Sequence, residues 1–283
     1  MSESPFFRYV RRTPTGSAAV AACESWAVEA ERCRMAVEAA MPDTSVELYF
    51  NLGPAGRHVQ GTIDGDRLPP RAAWAVGQRE QPLYVQKETR DCDIVAVRLH
   101  PWMVERVLGA PAIELRESLV DLDIMWGSAV DEVRNELHAA RDPSARLAIV
   151  ERAVAAQARR RTSRDGRIAE ALCRDAERDG RVTIGQLAAR HGLTHRRVIE
   201  VFDRAVGLKP KGFQRVRRLR RVFHLVSESP RPTWTAIAHR CGYFDQAHLI
   251  NDFRLLTGIS PREYEATRSS VGYGFVPHRL AET

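Results

Sequence analysis

One pattern is written twice in the last third of this 283-residue chain. The first copy consists of Ala188, Gly192, Thr194, Phe202, Gly207, Pro210 and Phe213, and the second of Ala238, Gly242, Asp245, Phe253, Gly258, Pro261 and Tyr264. The copies are offset by 50 residues up to the first glycine and by 51 residues from the polar residue after it. An internal duplication of this kind restricts the region to two similar units in tandem, which differ by one turn residue.

Each copy has the pattern of a helix, a short turn and a second helix. The first helix has apolar residues at i, i+3 and i+4, which are Ile184, Leu187 and Ala188 in one copy and Trp234, Ile237 and Ala238 in the other. Gly192 is suited to end the first of these helices, because glycine readily adopts the left-handed conformation. Thr194 and Asp245 are suited to cap the helices that follow. The duplication therefore predicts two helix-turn-helix units, each a small DNA-reading element.

A helix predicted from Pro210 to about Val226 joins the two units, since proline is favoured in the first turn of a helix. Five arginines accompany its apolar stripe: Arg215, Arg217, Arg218, Arg220 and Arg221. At 1.5 Å per residue this helix spans about 25 Å. When the widths of the two units are added to this length, we expect the two recognition helices to lie about one DNA turn apart, ~34 Å. One chain can then read two successive major-groove segments.

These residues resemble the DNA-binding domain of AraC/XylS-type transcriptional regulators. The resemblance covers roughly residues 167–268, and its most specific part is the closing run 242–264, GYFDQAHLINDFRLLTGISPREY. The chain departs from the family's motif at Leu249, where Phe is common, and at Asn251 and Asp252, where a basic residue or serine is frequent. The resemblance implies a sequence-specific DNA-binding regulator without catalytic activity.

The same resemblance implies base contacts from the outward faces of both second helices. Carried over residue by residue, these positions are Arg196, Ile199, Glu200, Gln246, Ala247, His248 and Asn251. Among them Arg196 suits guanine, and Gln246 and Asn251 suit adenine. Phosphate contacts are assigned to helix starts and to the joining helix, at Thr194, His195, Arg197, Lys209, Lys211, Arg215, Arg217, Arg218 and Arg221.

Charge is divided unevenly along the chain. The whole sequence has 43 lysines and arginines against 36 acids, a net charge of +7. From Arg159 onward there are 25 basic and 13 acidic residues, a net of +12, and the remaining 18 and 23 give −5. The basic surplus thus coincides with the duplication, as expected of a domain that binds phosphates.

The sequence pattern of the first half predicts an α+β domain with short β-strands. Apolar residues alternate with polar ones from Val46 to Leu52, which is typical of a strand with one buried face. Further strands are predicted at 58–63, 72–76, 83–85 and 94–99, and helices at 102–108, 126–140 and 144–160; residues 17–40 fit either structure. Residues 162–166 form the predicted linker. We therefore expect domains at 1–161 and 162–283, the second all-α with two helix-turn-helix units joined by a central helix.

Three segments of the first half, MPDTSVELYFNLG, VRLHPW and IMWG, resemble the amino-terminal sensor domains of some AraC-type regulators. This implies a domain that binds an effector or forms a dimer. The candidate pocket residues for a small apolar or aromatic effector are Trp26, Tyr49, Trp74, Tyr84 and Trp102. Aromatic residues are more often ordinary core, and both interpretations stay open.

Other classes of function find little support. The five cysteines are odd in number and form no C-x-x-C pair, which indicates reduced thiols in a cytoplasmic protein. The N-terminal run MSESPFFRYVRR lacks the apolar core of a signal peptide, and no stretch approaches 18 apolar residues. We therefore expect neither a secreted nor a membrane-spanning protein. His58, His100 and His138 lack metal-ligand spacing, and a Gly-x-Ser-x-Gly motif is missing. We predict no metal, cofactor or catalytic site.

The expected partners are double-stranded DNA, a small-molecule effector and RNA polymerase, with the chain acting as a monomer or a homodimer. Two alternatives from other classes remain. One is a DNA-modifying or repair protein that uses the helical domain for targeting, and the other is a protein-interaction adaptor that binds no DNA.

Overall fold

The computed structural model of the protein describes residues 3–4, 7–12, 20–28, 37–53, 59–63, 66–67, 72–87, 92–228, 233–267 and 275–278. Within these ranges the first part of the chain forms two antiparallel sheets and a few helices, and the last part is helical up to residue 267.

The strands are β1 (Glu3–Ser4), β2 (Phe7–Arg12), β3 (Val20–Val28), β4 (Val37–Ala40), β5 (Val46–Asn51), β6 (Val59–Ile63), β7 (Asp66–Arg67), β8 (Ala73–Val76), β9 (Leu83–Lys87), β10 (Cys92–Leu99), β11 (Leu119–Asp121) and β12 (Phe275–His278). The larger sheet has the order β1-β2-β3-β10-β5-β8-β11, and the smaller sheet β12-β4-β9-β6-β7. The five predicted strands are confirmed. The ambiguous residues 17–40 contribute β3 and β4, because tertiary pairing decides where local propensity does not.

Strand β5 lies inside the larger sheet and is buried along its whole length. Val46, Leu48 and Phe50 pack towards the helices, whereas Tyr49 packs with Ala40 and other residues in the layer between the sheets. The prediction of a strand with only one buried face was therefore wrong. Its polar residues made one face look solvent-exposed, but they are paired with other buried groups.

The helices are α1 (Val104–Leu108), α2 (Leu122–Trp126), α3 (Ala129–Ala139), α4 (Pro143–Arg160), α5 (Gly166–Arg178), α6 (Ile184–His191), α7 (His195–Val201), α8 (Pro210–Glu228), α9 (Trp234–Arg240), α10 (Gln246–Thr257) and α11 (Pro261–Thr267). Short 3-10 turns cover Pro101–Met103 and Ala112–Leu115, and a π-helical segment covers Phe202–Val206. The helix predicted at 126–140 is confirmed as α3, with Val130, Val133 and Leu137 buried, but it starts at Ala129. Trp126 is the last residue of α2, and Gly127 (φ +59°) separates the two helices.

Helix α4 leads from the sheets to the helical part of the chain. Asp142 caps it by accepting a hydrogen bond from the Ala145 amide at 2.9 Å. Its apolar stripe, with Leu147, Val150 and Val154, is buried. The predicted domain boundary lies between the end of α4 at Arg160 and the start of α5 at Gly166. Strand β12, which follows the last helix, pairs with β4 of the smaller sheet.

Two buried apolar clusters cross from the sheets to the helices. The larger cluster runs from Phe50 of the larger sheet to Phe202 and Phe213 around the first helix-turn-helix unit. The other joins Met41, beside the smaller sheet, to residues of α8 and α10 such as Phe223 and Phe253. Each unit is therefore in contact with a different part of the first half. Among the described helices, none combines the length and apolar character that a membrane crossing requires.

Candidate nucleic-acid interface

The first helix-turn-helix unit consists of α6, the turn 192–194 and α7. Thr183 and Gln186 form a reciprocal capping box at the start of α6, and Gly192 ends it with a left-handed conformation (φ +63°). The hydroxyl of Thr194 accepts a hydrogen bond from the Arg197 amide at 3.1 Å and so caps α7. Val198 and Val201 of α7 are buried. The opposite face is exposed and consists of His195, Arg196, Ile199 and Glu200.

The second unit repeats this arrangement with α9 and α10. Gly242 turns the chain with φ +83°, and the Asp245 carboxylate accepts a hydrogen bond from the His248 amide at 2.7 Å. The buried face of α10 contains Leu249, Phe253 and Leu256, and the exposed face contains Ala247, His248 and Asn251. Gln246 is half-buried, and its side-chain oxygen accepts a hydrogen bond from the Thr235 hydroxyl at 2.8 Å. The predicted base-reading residues thus lie on the outward side of both second helices.

The residues assigned to phosphate contact have different surroundings. Lys209, Lys211 and His195 are exposed, and Arg221 is half-buried. Three arginines of α8 are in ion pairs within the protein: Arg217 with Glu177 at 3.2 Å, and Arg215 and Arg218 with Asp252 at 2.8 and 3.5 Å. Asp252 itself is buried, with 8% of its surface exposed. It therefore faces α8 and not the outward side of α10.

Arg197 at the start of α7 points towards the linker between the two halves. It forms an ion pair with Asp165, a carboxylate that is almost fully buried. Asp165 and Arg197 also line a groove of about 450 Å³ that includes Ile113 and Arg164. The neighbouring Arg196 pairs with Glu200 at 2.8 Å on the surface. A phosphate contact by Arg197 would compete with its ion pair with Asp165.

Comparisons with known proteins match part of the chain. A helix-turn-helix domain family model matches residues 187–267. A probable AraC family transcriptional regulator from Rhodopseudomonas palustris is 30% identical to the chain, over 34% of the chain and 91% of that protein, with a TM-score of 0.30. The chain belongs to the AraC family of transcriptional regulators. No curated protein sequence matches it.

A similar fold is found in one solved structure that covers most of the chain. The structure of ToxT from Vibrio cholerae with a bound unsaturated fatty acid matches 94% of this chain and 97% of ToxT, with a TM-score of 0.50 and 9% identity. An identity this low shows the fold alone. The chain is thus a DNA-binding transcriptional regulator with strands in its first half and an AraC-type helical region in its last.

The five aromatic residues predicted for an effector pocket do not form one cluster in this AraC-type chain. Tyr49 and Trp74 are stacked, with ring centroids 5.2 Å apart, in the layer between the sheets. Tyr84 packs against the cluster around α8 and α10, and Trp102 lies in the other cluster, stacked on His100 at 4.5 Å. The backbone of Trp26 is in β3, opposite Ile94, and its side chain lies outside the described part of the structure.

A network of buried charges lies at the edge of the two sheets and was not predicted. Glu47 contacts Arg79 at 3.3 Å and Arg98 at 2.7 Å, and it accepts a hydrogen bond from the Tyr49 hydroxyl at 3.0 Å. Asp43 contacts Arg220 of α8 at 3.3 Å. Alternating polar residues in β5 were a signal for this network, but the sequence does not show which cations meet them. Arg220, counted with the arginines around α8, faces the first half instead.

The charges of this network affect one another's pKa. Burial by itself would raise the pKa of Asp43, but the positive charges of Arg220 and Arg98 outweigh it and hold that pKa far below its ordinary value. The pKa of Glu47 is likewise lowered by Arg98 and Arg79 against the effect of burial. Both carboxylates are therefore ionised at neutral pH, and the first half holds a charged contact with α8.

Two of the predicted reduced thiols are confirmed. Cys173 and Cys241 are free and buried, and burial raises the pKa of both, that of Cys241 to about 11. The side chains of Cys23, Cys33 and Cys92 lie outside the described residues. No group of three His, Cys, Asp or Glu side chains suited to a metal ion occurs in the described ranges.

Proposed function

We propose that the first half of this regulator binds a small molecule and thereby changes how the two helix-turn-helix units bind DNA. The units read two successive major-groove segments through the base-reading residues of α7 and α10, as assigned from the sequence. The observation that carries the proposal is that the first half contacts both units in separate places. A ligand that favours one arrangement of these contacts alters DNA affinity by its differential affinity for the arrangements.

Contact with the first unit is close enough to transmit a small displacement. A Cβ atom at Gly207 would lie 1.3 Å from the Gln78 side chain and 2.7 Å from the Ala112 carbonyl oxygen. A Cβ atom at Gly212 would lie 2.5 Å from Glu80. Both Gln78 and Glu80 follow β8, which lies next to the edge strand β11 of the larger sheet, so a shift of this part of the sheet moves the start of α8.

Contact with the second unit runs through the smaller sheet and α8. Met41 packs in the same cluster as Phe223 and Phe253, and Arg220 is paired with Asp43. The stacked pair Tyr49 and Trp74 lies in the layer between the sheets, next to Glu47. We place the effector in this layer because a ligand there is near both routes. That ToxT, with the same fold, binds an unsaturated fatty acid supports a small, largely apolar effector.

Binding of the full-length protein to a selected duplex, measured with and without each member of a metabolite panel, tests the proposal. We expect one compound to change DNA affinity by about 5- to 150-fold, and operator DNA to change the affinity for that compound by the same factor. Tyr49→Leu should weaken the response to the compound while DNA binding without it persists. Equal DNA affinity across a broad panel would contradict sensing and favour a dimerising or structural first half. Contact with RNA polymerase and the oligomeric state stay predictions.

A further inference from the structure

Arg181 connects the segment just ahead of the first helix-turn-helix unit to the second unit. It lies in the loop between α5 and α6, ahead of the first unit. Its Nε atom donates a hydrogen bond to the Gly242 carbonyl oxygen at 3.3 Å, and its Nη2 atom to the Tyr243 carbonyl oxygen at 3.2 Å. These two carbonyls belong to the turn that leads into α10. Because the donor is charged, such bonds are stronger than neutral ones.

Helix α8 supports the same turn from another side. The Arg218 guanidinium lies 5.2 Å from the centre of the fully buried Tyr243 ring and also reaches Asp252 of α10 at 3.5 Å. Arg215 holds the other oxygen of Asp252 at 2.8 Å. Gln214 donates to the Val182 carbonyl oxygen at 2.6 Å, next to Arg181. We call Arg181, Arg215, Arg218, Tyr243 and Asp252 the inter-unit clamp.

We propose that the inter-unit clamp fixes the distance and angle between α7 and α10, and so sets the spacing between the two DNA segments that the chain accepts. Arg181 and Asp252 are positioning residues in this proposal, which rests on the proposed two-segment reading of DNA. Arg181 is exposed, but two of its guanidinium nitrogens donate to backbone oxygens, and both oxygens of Asp252 accept from arginines of α8. A loss of either residue should therefore change tolerance for spacing more than affinity for the preferred site.

Spacing is a demanding property of a two-segment site. Inserting one base pair moves the second segment by about 3.4 Å and turns it by about 34° around the helix axis. A rigid pair of recognition helices cannot follow both changes and loses one set of contacts. A pair joined loosely, by the packing of α8 alone, can rotate to recover part of them.

The first test uses full-length protein and a duplex selected by it from random sequences, together with versions that have one base pair added or removed between the two segments. For the parent we expect affinity to fall by about tenfold or more on either change, comparable to a mismatched base pair. For Arg181→Ala the fall should be below about threefold. Arg178→Ala is the matched control, because Arg178 is a nearby exposed arginine paired with Asp175. It should behave like the parent.

The proposal would be overturned if Arg181→Ala kept the parent's spacing preference. It would also be overturned if the affinity of this variant fell by the same factor for duplexes of every spacing. A second measurement needs no DNA. Nitroxide labels on encoded non-natural residues at positions 196 and 247, both exposed, report the distance between α7 and α10. The distribution should be narrow in the parent and in Arg178→Ala, and broader in Arg181→Ala and in Asp252→Asn.

The two measurements separate the clamp from the proposed function. If the parent selects no duplex, the two-segment reading of DNA is wrong, and the distance distributions alone decide the clamp. Unchanged distributions in both variants would contradict it, whether or not the protein binds DNA.

Discussion

Gly207 and Gly258 are equivalent residues of the two copies and have the same backbone angle, φ +75°. Their surroundings differ, because a Cβ atom at Gly207 would overlap Gln78 and approach the Ala112 carbonyl, whereas nothing lies within 4 Å of one at Gly258. The left-handed conformation is costly for any other residue at either position. Of these two glycines, Gly207 alone is also restricted by contact with the first half of the chain.

We expect Gly258→Ala to lower the free energy of unfolding by about 1 kcal/mol, the cost of the left-handed conformation. Gly207→Ala should lower it by about 1–3 kcal/mol more, because the methyl group is overpacked against the larger sheet. Urea denaturation of both variants measures the difference, with Gly258→Ala as the internal control. Equal effects would show that the contact between Gly207 and the first half is looser than described.

The pair of Asp43 and Arg220 leads to a prediction about pH. The folded-state pKa of Asp43 is lowered, so its ionised form stabilises the fold fully above the ordinary carboxyl pKa of about 4. This stabilisation is lost as pH falls from there through the lower folded-state value. Removing one partner of a buried ion pair typically costs about 3 kcal/mol.

Asp43→Asn should therefore be less stable than the parent by a constant amount between about pH 6 and 8, and the difference should shrink below about pH 4. Denaturant titrations across this range measure it. Glu136→Gln is the control, since Glu136 pairs with Arg152 on the surface, where an ion pair contributes less than about 1 kcal/mol. If the difference in unfolding free energy between the parent and Asp43→Asn stayed the same at low pH, the stabilisation would not come from ionised Asp43.

At the scale of elements, the helix-turn-helix units were predictable because each signal is local. Thr194 and Asp245 cap their helices, Gly192 and Gly242 turn the chain, and the apolar spacing of α6 and α9 identifies their buried faces. These features depend on residues three or four apart. The same locality made α8 predictable from Pro210 onward.

The remaining elements depend on partners far away in the sequence. The polar face of β5 is buried because Arg79 and Arg98 pair with Glu47 from two other segments, and Arg220 pairs with Asp43 just ahead of the strand. The candidate base-reading residues could be placed on the outward faces of α7 and α10 from the sequence, but the pairing of Arg197 with Asp165 could not. Strand β12 was also missed, since four residues carry too little pattern to identify an edge strand.

Loss of a base contact and loss of a phosphate contact should have different effects on DNA binding. Gln246→Ala removes a candidate base contact at the start of α10, so we expect a loss of about 1–3 kcal/mol on the preferred site and relaxed preference at one position. Lys211→Ala removes an exposed charge at the start of α8 and should weaken binding to all DNA sequences alike. The slope of log affinity against log salt should become shallower by about 1, the value for one lost phosphate contact.

Site selection from random DNA with each variant distinguishes these effects. Lys211→Ala serves as the control for Gln246→Ala, because it should return the parent's preferred sequence. The base-reading role of Gln246 fails if its alanine variant also returns the parent's preference at every position.

At the scale of the whole molecule, the chain's charge and its packing have different consequences. The basic surplus of the second half favours any duplex, because binding releases counterions from the phosphates. The buried clusters and the Asp43–Arg220 pair hold each helix-turn-helix unit against a different part of the first half. General affinity for DNA therefore depends on charge, whereas the arrangement of the two units depends on packing against the first half. A ligand of the first half can alter this arrangement.

The central claim is that one chain reads two successive segments of duplex DNA. The most direct measurement is selection of bound duplexes from a random pool by the full-length protein, followed by titration of the recovered site at several salt concentrations. We predict sites with two preferred segments about 10–10.5 base pairs apart, centre to centre. Log affinity should fall with log salt by about 0.9 for each phosphate neutralised. Recovery of no preferred sequence, or of a single short segment bound as tightly as the full site, would contradict the claim.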